Sequence, residues 1–151
     1  MINSNELLSV VDEYDTPQKP MPRHIVKKGN YWFRAVHVWI MNHKNQVLVQ
    51  KRSLKKDQSP GFWEPAVAGH ITSGDNYFTG AVREVREETG IQLINILDLG
   101  EYLADEFFVV KVFNAFVKEE GVVTREFPNR EHVRYKWVDA LDIPPLVGKM
   151  T

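Results

Sequence analysis

GHITSGDNYFTGAVREVREETGI, residues 69–91, is the stretch on which the reading of the whole chain turns. Its second half is apolar at helical spacing and closes on Gly90. It reads as a helix over 76–90, capped by Asp75 or Asn76 and ended by that glycine. On a wheel of about 100° per residue, Phe78, Ala81, Val82, Val85 and Thr89 fall on one side, the side expected to pack on a sheet. Glu84, Glu87 and Glu88 fall together within an arc of about 100° on another side. Gly80 lies one turn earlier on that same stripe. A glycine inside a helix costs roughly 1 kcal/mol against alanine, which points to close approach of another backbone segment.

The three glutamates repel. Glu84–Glu88 and Glu84–Glu87 are like-charge pairs at i,i+4 and i,i+3, each costing roughly 0.2–0.5 kcal/mol. They also lie towards the helix C-terminus, where the dipole disfavours anions. Arg83 and Arg86 relieve only part of this. Taken alone, such a run marks a solvated face. A hard divalent cation is the other account, because Mg²⁺ takes oxygen ligands and is commonly held by a few carboxylates together with substrate phosphate.

Outward from the helix the chain alternates strands and turns. Residues 6–14 read as a short strand, and 15–30, with three prolines, as a loop with one helical turn after Pro22. YWFRAVHVWIMN, residues 31–42, is β-branched and aromatic and reads as a strong strand. Residues 43–46 form a turn, and 47–52 the returning strand of a hairpin. A polar loop follows, ending in Pro60-Gly61, and residues 64–69 form a short buried strand. Further strands are expected near 91–103, 107–117 and 132–138, with a turn at Gly121 and a short helix from about Asp139. Strands on both sides of one long helix give an α/β or α+β class with a mixed sheet.

At 151 residues the chain is expected to form a single domain, 1–151. Its 43% hydrophobic and 26% charged residues argue against disorder. A net charge of -1 provides no global basic field for a nucleic acid backbone, so no nucleic acid polymer is expected as a partner. With no cysteine there are no disulfides, thiolate metal sites or thiol nucleophiles. The first 15 residues do not read as a signal peptide, and no apolar run approaches the ~18 residues of a membrane span. The expectation is a cytoplasmic, soluble protein.

The spacing around the helix carries a family resemblance. Gly69, five residues, Asp75, seven residues, then Arg83-Glu84-Val85-Arg86-Glu87-Glu88-Thr89-Gly90-Ile91 resembles the Nudix box, G-x5-E-x7-R-E-U-x-E-E-x-G-U with U apolar. The one departure is Asp75 in place of glutamate. It keeps the charge near the helix N-terminus, where an anion is favoured, but is one methylene shorter. The resemblance implies an α/β/α sandwich around a mixed sheet, with the box at 69–91 as loop-helix-loop. It implies hydrolysis of a nucleoside diphosphate joined to another group. Carried over by position, Glu84, Glu87 and Glu88 would bind the metal, the Gly69 carbonyl would be a further ligand, and Arg83 would orient the carboxylates. Mg²⁺ is the implied cofactor, with Mn²⁺ as the alternative, and a homodimer is among the assemblies expected. A carboxylate must accept a proton, and Glu84, Glu88, Glu119, Glu120, Glu126 and Glu131 all qualify.

Upstream, the Arg34-Ala35 strand start, Lys51-Arg52-Ser53, Lys56, Pro60-Gly61-Phe62-Trp63 and Ala68-Gly69-His70 resemble the Nudix subgroup that includes isopentenyl-diphosphate isomerase and its hydrolase-like relatives. The isomerase pattern needs a cysteine where Ala68 stands and a metal-binding histidine where Phe33 stands, so its activity is not carried over. His70 matches a metal ligand of that pattern without its partner, which favours a loop histidine or a phosphate contact. Arg34, Lys51, Arg52 and Lys56 are either a solvated hairpin edge or a diphosphate clamp. Arg52 and Lys56 are the favoured clamp residues, with Arg34 a further substrate contact. Trp32, Trp63 and Phe107 either stack a base or belong to the core. An isoprenoid-diphosphate enzyme and a non-catalytic Nudix-fold nucleotide-binding or regulatory domain are the alternatives to the hydrolase.

Overall fold

Val36, Val38 and Ile40 line one face of the strand Trp32–Met41 (β4), and Phe33 and Ala35 line the other. A strand apolar on both faces belongs inside a sheet. In the computed structural model, which describes residues 5–56, 59–65, 67–93, 95–104, 108–117 and 132–143, β4 is indeed central. Before it come the two-residue strands Leu7–Leu8 (β1), Val10–Val11 (β2) and Met21–Pro22 (β3) and the helix Arg23–Lys28 (α1). After it come Gln46–Arg52 (β5), Trp63–Pro65 (β6), Val67–His70 (β7), the helix Tyr77–Thr89 (α2), Asn95–Ala104 (β8), Phe108–Phe116 (β9), His132–Asp139 (β10) and a 3₁₀ turn at Ala140–Asp142.

The sheet is mixed. β4 runs parallel to β9 over nine paired residues, from Phe33↔Phe108 to Met41↔Phe116, and antiparallel to β7. β8 pairs antiparallel with β9, and β10 with β5. The hairpin expected between β4 and β5 is open. After one pairing, Met41↔Val47, the strands diverge. β7 fills the gap against β4 and β6 against β5. The turn that starts this split is held by Asn42, whose side-chain oxygen accepts from the Lys44 and Gln46 amides at 2.9 and 3.0 Å. Gly69 lies on β7, directly opposite Val36 of β4.

Two cores follow from the alternation of β4. Val36, Val38 and Ile40 join Val67, Ile71, Tyr77, Ala81, Val85, Phe113 and Ala115 under α2. Phe33, on the opposite face, joins Leu8, Val10 and Val26, so α1 covers the other side. The α/β/α layering is therefore present, with α1 as the smaller layer. Residues 6–14 form two strands and not one. At Ser9 the chain switches partners, its amide donating to the Ile71 carbonyl and its carbonyl accepting from the Arg34 amide.

The helix is capped by Asn76 and not by Asp75. Asn76 Oδ1 accepts from the Thr79 amide at 2.8 Å and Thr79 Oγ1 accepts from the Asn76 amide at 3.0 Å, a reciprocal capping box. Gly90 closes it at φ 71°, a left-handed value that favours glycine. The buried face needs a correction. Tyr77, Ala81, Val85 and Thr89 pack on the sheet, whereas Phe78 is 52% exposed. Tyr77 wins the inner position because its hydroxyl finds Asp15 Oδ1 at 3.0 Å. No helix among the described residues is long and apolar enough to cross a membrane.

Candidate metal and phosphate site

Gly69 stands at the start of the site because Glu84 leaves no room for a side chain there. A Cβ on residue 69 would overlap the Glu84 carboxyl group. One turn earlier, Gly80 is similarly close to Ile71, the residue that follows β7. The close neighbour is a side chain and not the backbone segment expected, but the consequence is the same. The two glycines let α2 lie tightly across β7, and this places the Glu84 carboxyl group against Gly69.

Arg83 organises the carboxylates. Its Nε donates to Asp75 Oδ2 at 2.9 Å, one terminal nitrogen donates to Glu84 Oε1 at 2.8 Å and Glu87 Oε2 at 3.3 Å, and the other donates to the His70 carbonyl at 3.2 Å. Burial works against its charge, but Asp75, Glu84 and Glu87 together hold the guanidinium protonated beyond its ordinary range. Asp75 reaches Arg83 despite its shorter side chain, helped by hydrogen bonds from Thr72 and Thr79. The Arg83 guanidinium in turn holds Asp75 below the usual carboxylate range.

The Glu84 side chain is largely withdrawn from solvent. Burial pushes its carboxyl up to about 7, with Arg83 pulling in the opposite direction and the charges of Glu87 and Glu6 adding to the rise. Glu87 is largely exposed. Glu88 is buried, and its Oε2 accepts from Gln50 Nε2 at 3.1 Å while its carbonyl accepts from the Tyr135 hydroxyl at 2.8 Å. Among the described residues, no three His, Asp or Glu side chains converge as a ready metal cluster. Glu84 and Glu87 lean on Arg83, and Glu88 leans on Gln50.

The clamp residues fall in three places. Arg52 donates to both oxygens of Glu64 at 3.0 and 3.2 Å, close to Gln50 and hence to Glu88. Lys56 lies near enough to His70 to act on its charge, together with Lys27 and Arg23 of α1. Arg34 turns to the N-terminal arm, donating to Asp15 Oδ1 at 2.7 Å and to the Asp15 carbonyl at 2.9 Å, with Tyr77 under its guanidinium. His70 is half-buried, desolvation and the nearby cations push its imidazole down to about 3, and its ring meets Phe33 edge-on at 5.2 Å. Trp32 packs against the main core. Phe107 and the loop glutamates Glu119, Glu120, Glu126 and Glu131 lie outside the described residues, as do Gly121 and residues 144–151.

Sequence reading missed Glu64, Gln50 and the pair Arg23–Glu6, joined at 3.0 Å. Nothing local marks them. Glu64 and Gln50 come to the site through the β5–β6 register, and Glu6 through the pairing of β1 with β3. The arrangement offers hard oxygen donors on one side and cations on the other, a combination suited to a phosphate-bearing ligand with a divalent ion.

Comparison with known proteins points the same way. The NUDIX domain family profile matches residues 32–150. An uncharacterized Nudix hydrolase of Pseudomonas aeruginosa is 33% identical over 101 residues, which are 67% of this chain and 60% of the relative. An isopentenyl-diphosphate Delta-isomerase of Klebsiella pneumoniae is 28% identical over 145 residues, 90% of this chain and 77% of that protein. A crystal structure from Deinococcus radiodurans shares the fold at a TM-score of 0.71 and 22% identity, covering 88% of this chain and 83% of that one. The chain thus spans only 60% of the length of the Pseudomonas relative.

Proposed function

Because the chain belongs to the NUDIX domain family, we propose that it is a Mg²⁺-dependent pyrophosphohydrolase. Its substrate is a small diphosphate, a nucleoside diphosphate linked to another moiety. The observation that supports this best is the packing of Glu84 against Gly69 with Arg83 spanning Asp75, Glu84 and Glu87.

The donor chemistry fits a hard cation. All the candidate ligands are oxygens: Glu84, Glu87, Glu88 and the Gly69 carbonyl. Burial raises the cost of an ionised Glu84, and a nearby cation lowers it. Mg²⁺, or Mn²⁺ in its place, neutralises phosphate oxygens and acidifies a bound water when present. This chain's residues do the rest. Arg83 keeps Glu84 and Glu87 oriented, and Asp75 fixes Arg83. Arg52, Lys56 and Arg34 are the proposed diphosphate contacts, Arg52 exchanging or sharing its Glu64 partner with the substrate. A water oxygen bonds to phosphorus, the bridging P–O bond breaks, and a carboxylate takes the water proton. That base is drawn from Glu84, Glu88 and the loop glutamates. A single domain, a cytoplasmic location and a homodimer complete the proposal.

The test is turnover of nucleoside diphosphates, triphosphates, nucleotide sugars, dinucleotides and isoprenoid diphosphates with and without Mg²⁺. Glu87→Gln and Glu88→Gln are expected to lower kcat on the order of a hundredfold. Parent-level rates in both variants on every active substrate would remove the carboxylate mechanism. The isoprenoid reading draws on the isomerase likeness, but Ala68 supplies no acid and Phe33 no ligand at the positions that chemistry requires. Absence of proton exchange into isopentenyl diphosphate removes it. A non-catalytic binding domain is left only if no substrate turns over while nucleotides still bind.

A further inference from the structure

Side chains of β5 alternate across the sheet. Gln50 and Arg52 point towards Glu88 and Glu64, on the α2 side. Lys51, between them, points to the reverse face. There the register sets it directly opposite Trp63 on one neighbouring strand and Arg134 on the other. Lys136, which pairs with Val49, reaches across β5 so that its Nζ lies 4.4 Å from the centre of the Trp63 ring. Lys51 Nζ lies 6.0 Å from the same point. Among the described residues no carboxylate pairs with Lys51, Arg134 or Lys136.

Neither stability nor strand protection explains the whole row. Like charges directly opposite on neighbouring strands are unfavourable. Lysine guards exposed sheet edges, and Arg134 and Lys136 stand on β10, the outer strand of the described sheet, but Lys51 stands on β5, between β10 and β6. Nor does composition explain it, since the chain's net charge is -1. Trp63 offsets part of the repulsion through its ring face and gathers the two ammonium groups at one place.

We propose that Lys51 and Lys136, gathered on Trp63, together with Arg134 opposite Lys51, form a binding site for an oligophosphate anion on the sheet face opposite α2, separate from the carboxylate cluster. The spacing selects phosphate. Neighbouring strands anchor Lys51 and Arg134 about 4.8 Å apart. Same-face carboxylates on an extended peptide are about 6.6 Å apart, which matches Arg134 to Lys136 along β10 but is wider than the Lys51–Arg134 pair. A phosphate chain packs its charge more densely. Guanidinium and ammonium groups then divide the work, Arg134 gripping two oxygens and the lysines acting as point charges.

The site is tested with the whole protein in EDTA, which removes divalent-dependent binding at the carboxylates. Inorganic tripolyphosphate and adenosine triphosphate are titrated by calorimetry, with tryptophan fluorescence followed in parallel. Saturable binding is expected for both, weakened about tenfold for each cation removed in Lys51→Gln, Lys136→Gln and Arg134→Gln. Arg134 is exposed, so its variant keeps the test alive if a half-buried lysine proves necessary for folding. Equal affinities for the two probes assign recognition to the phosphates alone; a tighter nucleotide adds a nucleoside contact to the same site. Trp63→Phe is expected to abolish the fluorescence change. Three results overturn the proposal: no saturation, unchanged affinity in all three cation variants, or equal affinity for an oligoglutamate of matching charge. Magnesium-dependent turnover is expected to be unchanged in Arg134→Gln, and a matching loss of turnover would likewise overturn a separate site.

Discussion

Arg83 Nε donates to Asp75 Oδ2 at 2.9 Å across eight residues, tying the loop that enters α2 to the helix's second turn. Both side chains are about a quarter exposed, so the pair is neither a loose surface contact nor a sealed core pair. It fixes Arg83, and Arg83 fixes Glu84 and Glu87.

Asp75→Asn keeps the shape and removes the charge. The expected cost is on the order of 1 kcal/mol in urea unfolding, with kcat lowered about tenfold as Arg83 loses its anchor. KM should change little, because Asp75 is placed to act through Arg83 and not on substrate. Asp75→Glu tests the missing methylene. Since Asp75 already reaches its partner, turnover should stay near the parent value, and a large gain would reveal strain that the 2.9 Å contact does not suggest.

Gly69→Ala separates site geometry from stability. The added methyl meets the far end of the flexible Glu84 side chain and not backbone. The carboxyl can swing away, so the melting temperature should fall by only a few degrees, corresponding to about 1 kcal/mol. Activity should fall on the order of a hundredfold, because Glu84 no longer occupies the cradle. Loss of folding in step with activity would show that the glycine serves packing alone.

What the sequence made legible was local. Arg83, Glu84, Glu87, Glu88 and Gly90 share one helix, and Gly69 and Asp75 are one loop away, so offsets alone brought them together. The strand content of β4, β5, β9 and β10 was likewise carried by β-branched and aromatic runs. The errors have physical causes. Hydrophobicity put Phe78 inward, but Tyr77 has a hydroxyl partner in Asp15 and takes the buried place. A hairpin was expected where β4 and β5 splay, because the inserted β6 and β7 contribute pairing that no short window contains. Glu64 beside Arg52, Gln50 beside Glu88, and Asp15 beside Arg34 depend on strand register and on an arm distant in sequence. Arg34 reads as a phosphate contact from its neighbours in the chain, and its ties to Asp15 and Tyr77, where that arm meets α2, are ones that no local window contains.

Stability of the metal-free protein should depend on pH through Glu84. Burial raises its folded-state value to about 7, well above the ordinary carboxylate range, so the folded protein holds this proton more tightly than the unfolded chain. The resulting stabilisation is complete below the unfolded value and is lost as pH rises through about 7. Its size is of order 3 kcal/mol. Asp75 has the opposite sign: held low by Arg83, it contributes stability above its ordinary range that is lost as pH falls through its folded value. Urea unfolding in EDTA between about pH 5 and 8.5 should therefore show a decline towards alkaline pH that Glu84→Gln flattens. The same alkaline slope in parent and variant would remove Glu84 as its source.

Glu64 is the last group to be assigned a role, and Arg52 decides it. The guanidinium donates to both Glu64 oxygens, so in the free protein the carboxylate occupies donors that a diphosphate would use. If Glu64 only holds Arg52 in place, Glu64→Gln weakens that grip and leaves the cation more available. KM for the diphosphate should then fall severalfold with kcat almost unchanged, whereas Arg52→Gln should raise KM by about tenfold. Glu64 is also linked through Gln50 to Glu88. A carboxylate acting on the reaction through that link would give a different signature: kcat would fall in Glu64→Gln and KM would not improve. Steady-state kinetics on both variants, with the double variant to test whether the effects add, distinguishes the two. Strong non-additivity in KM alone is the expected result, because each substitution removes the same ion pair.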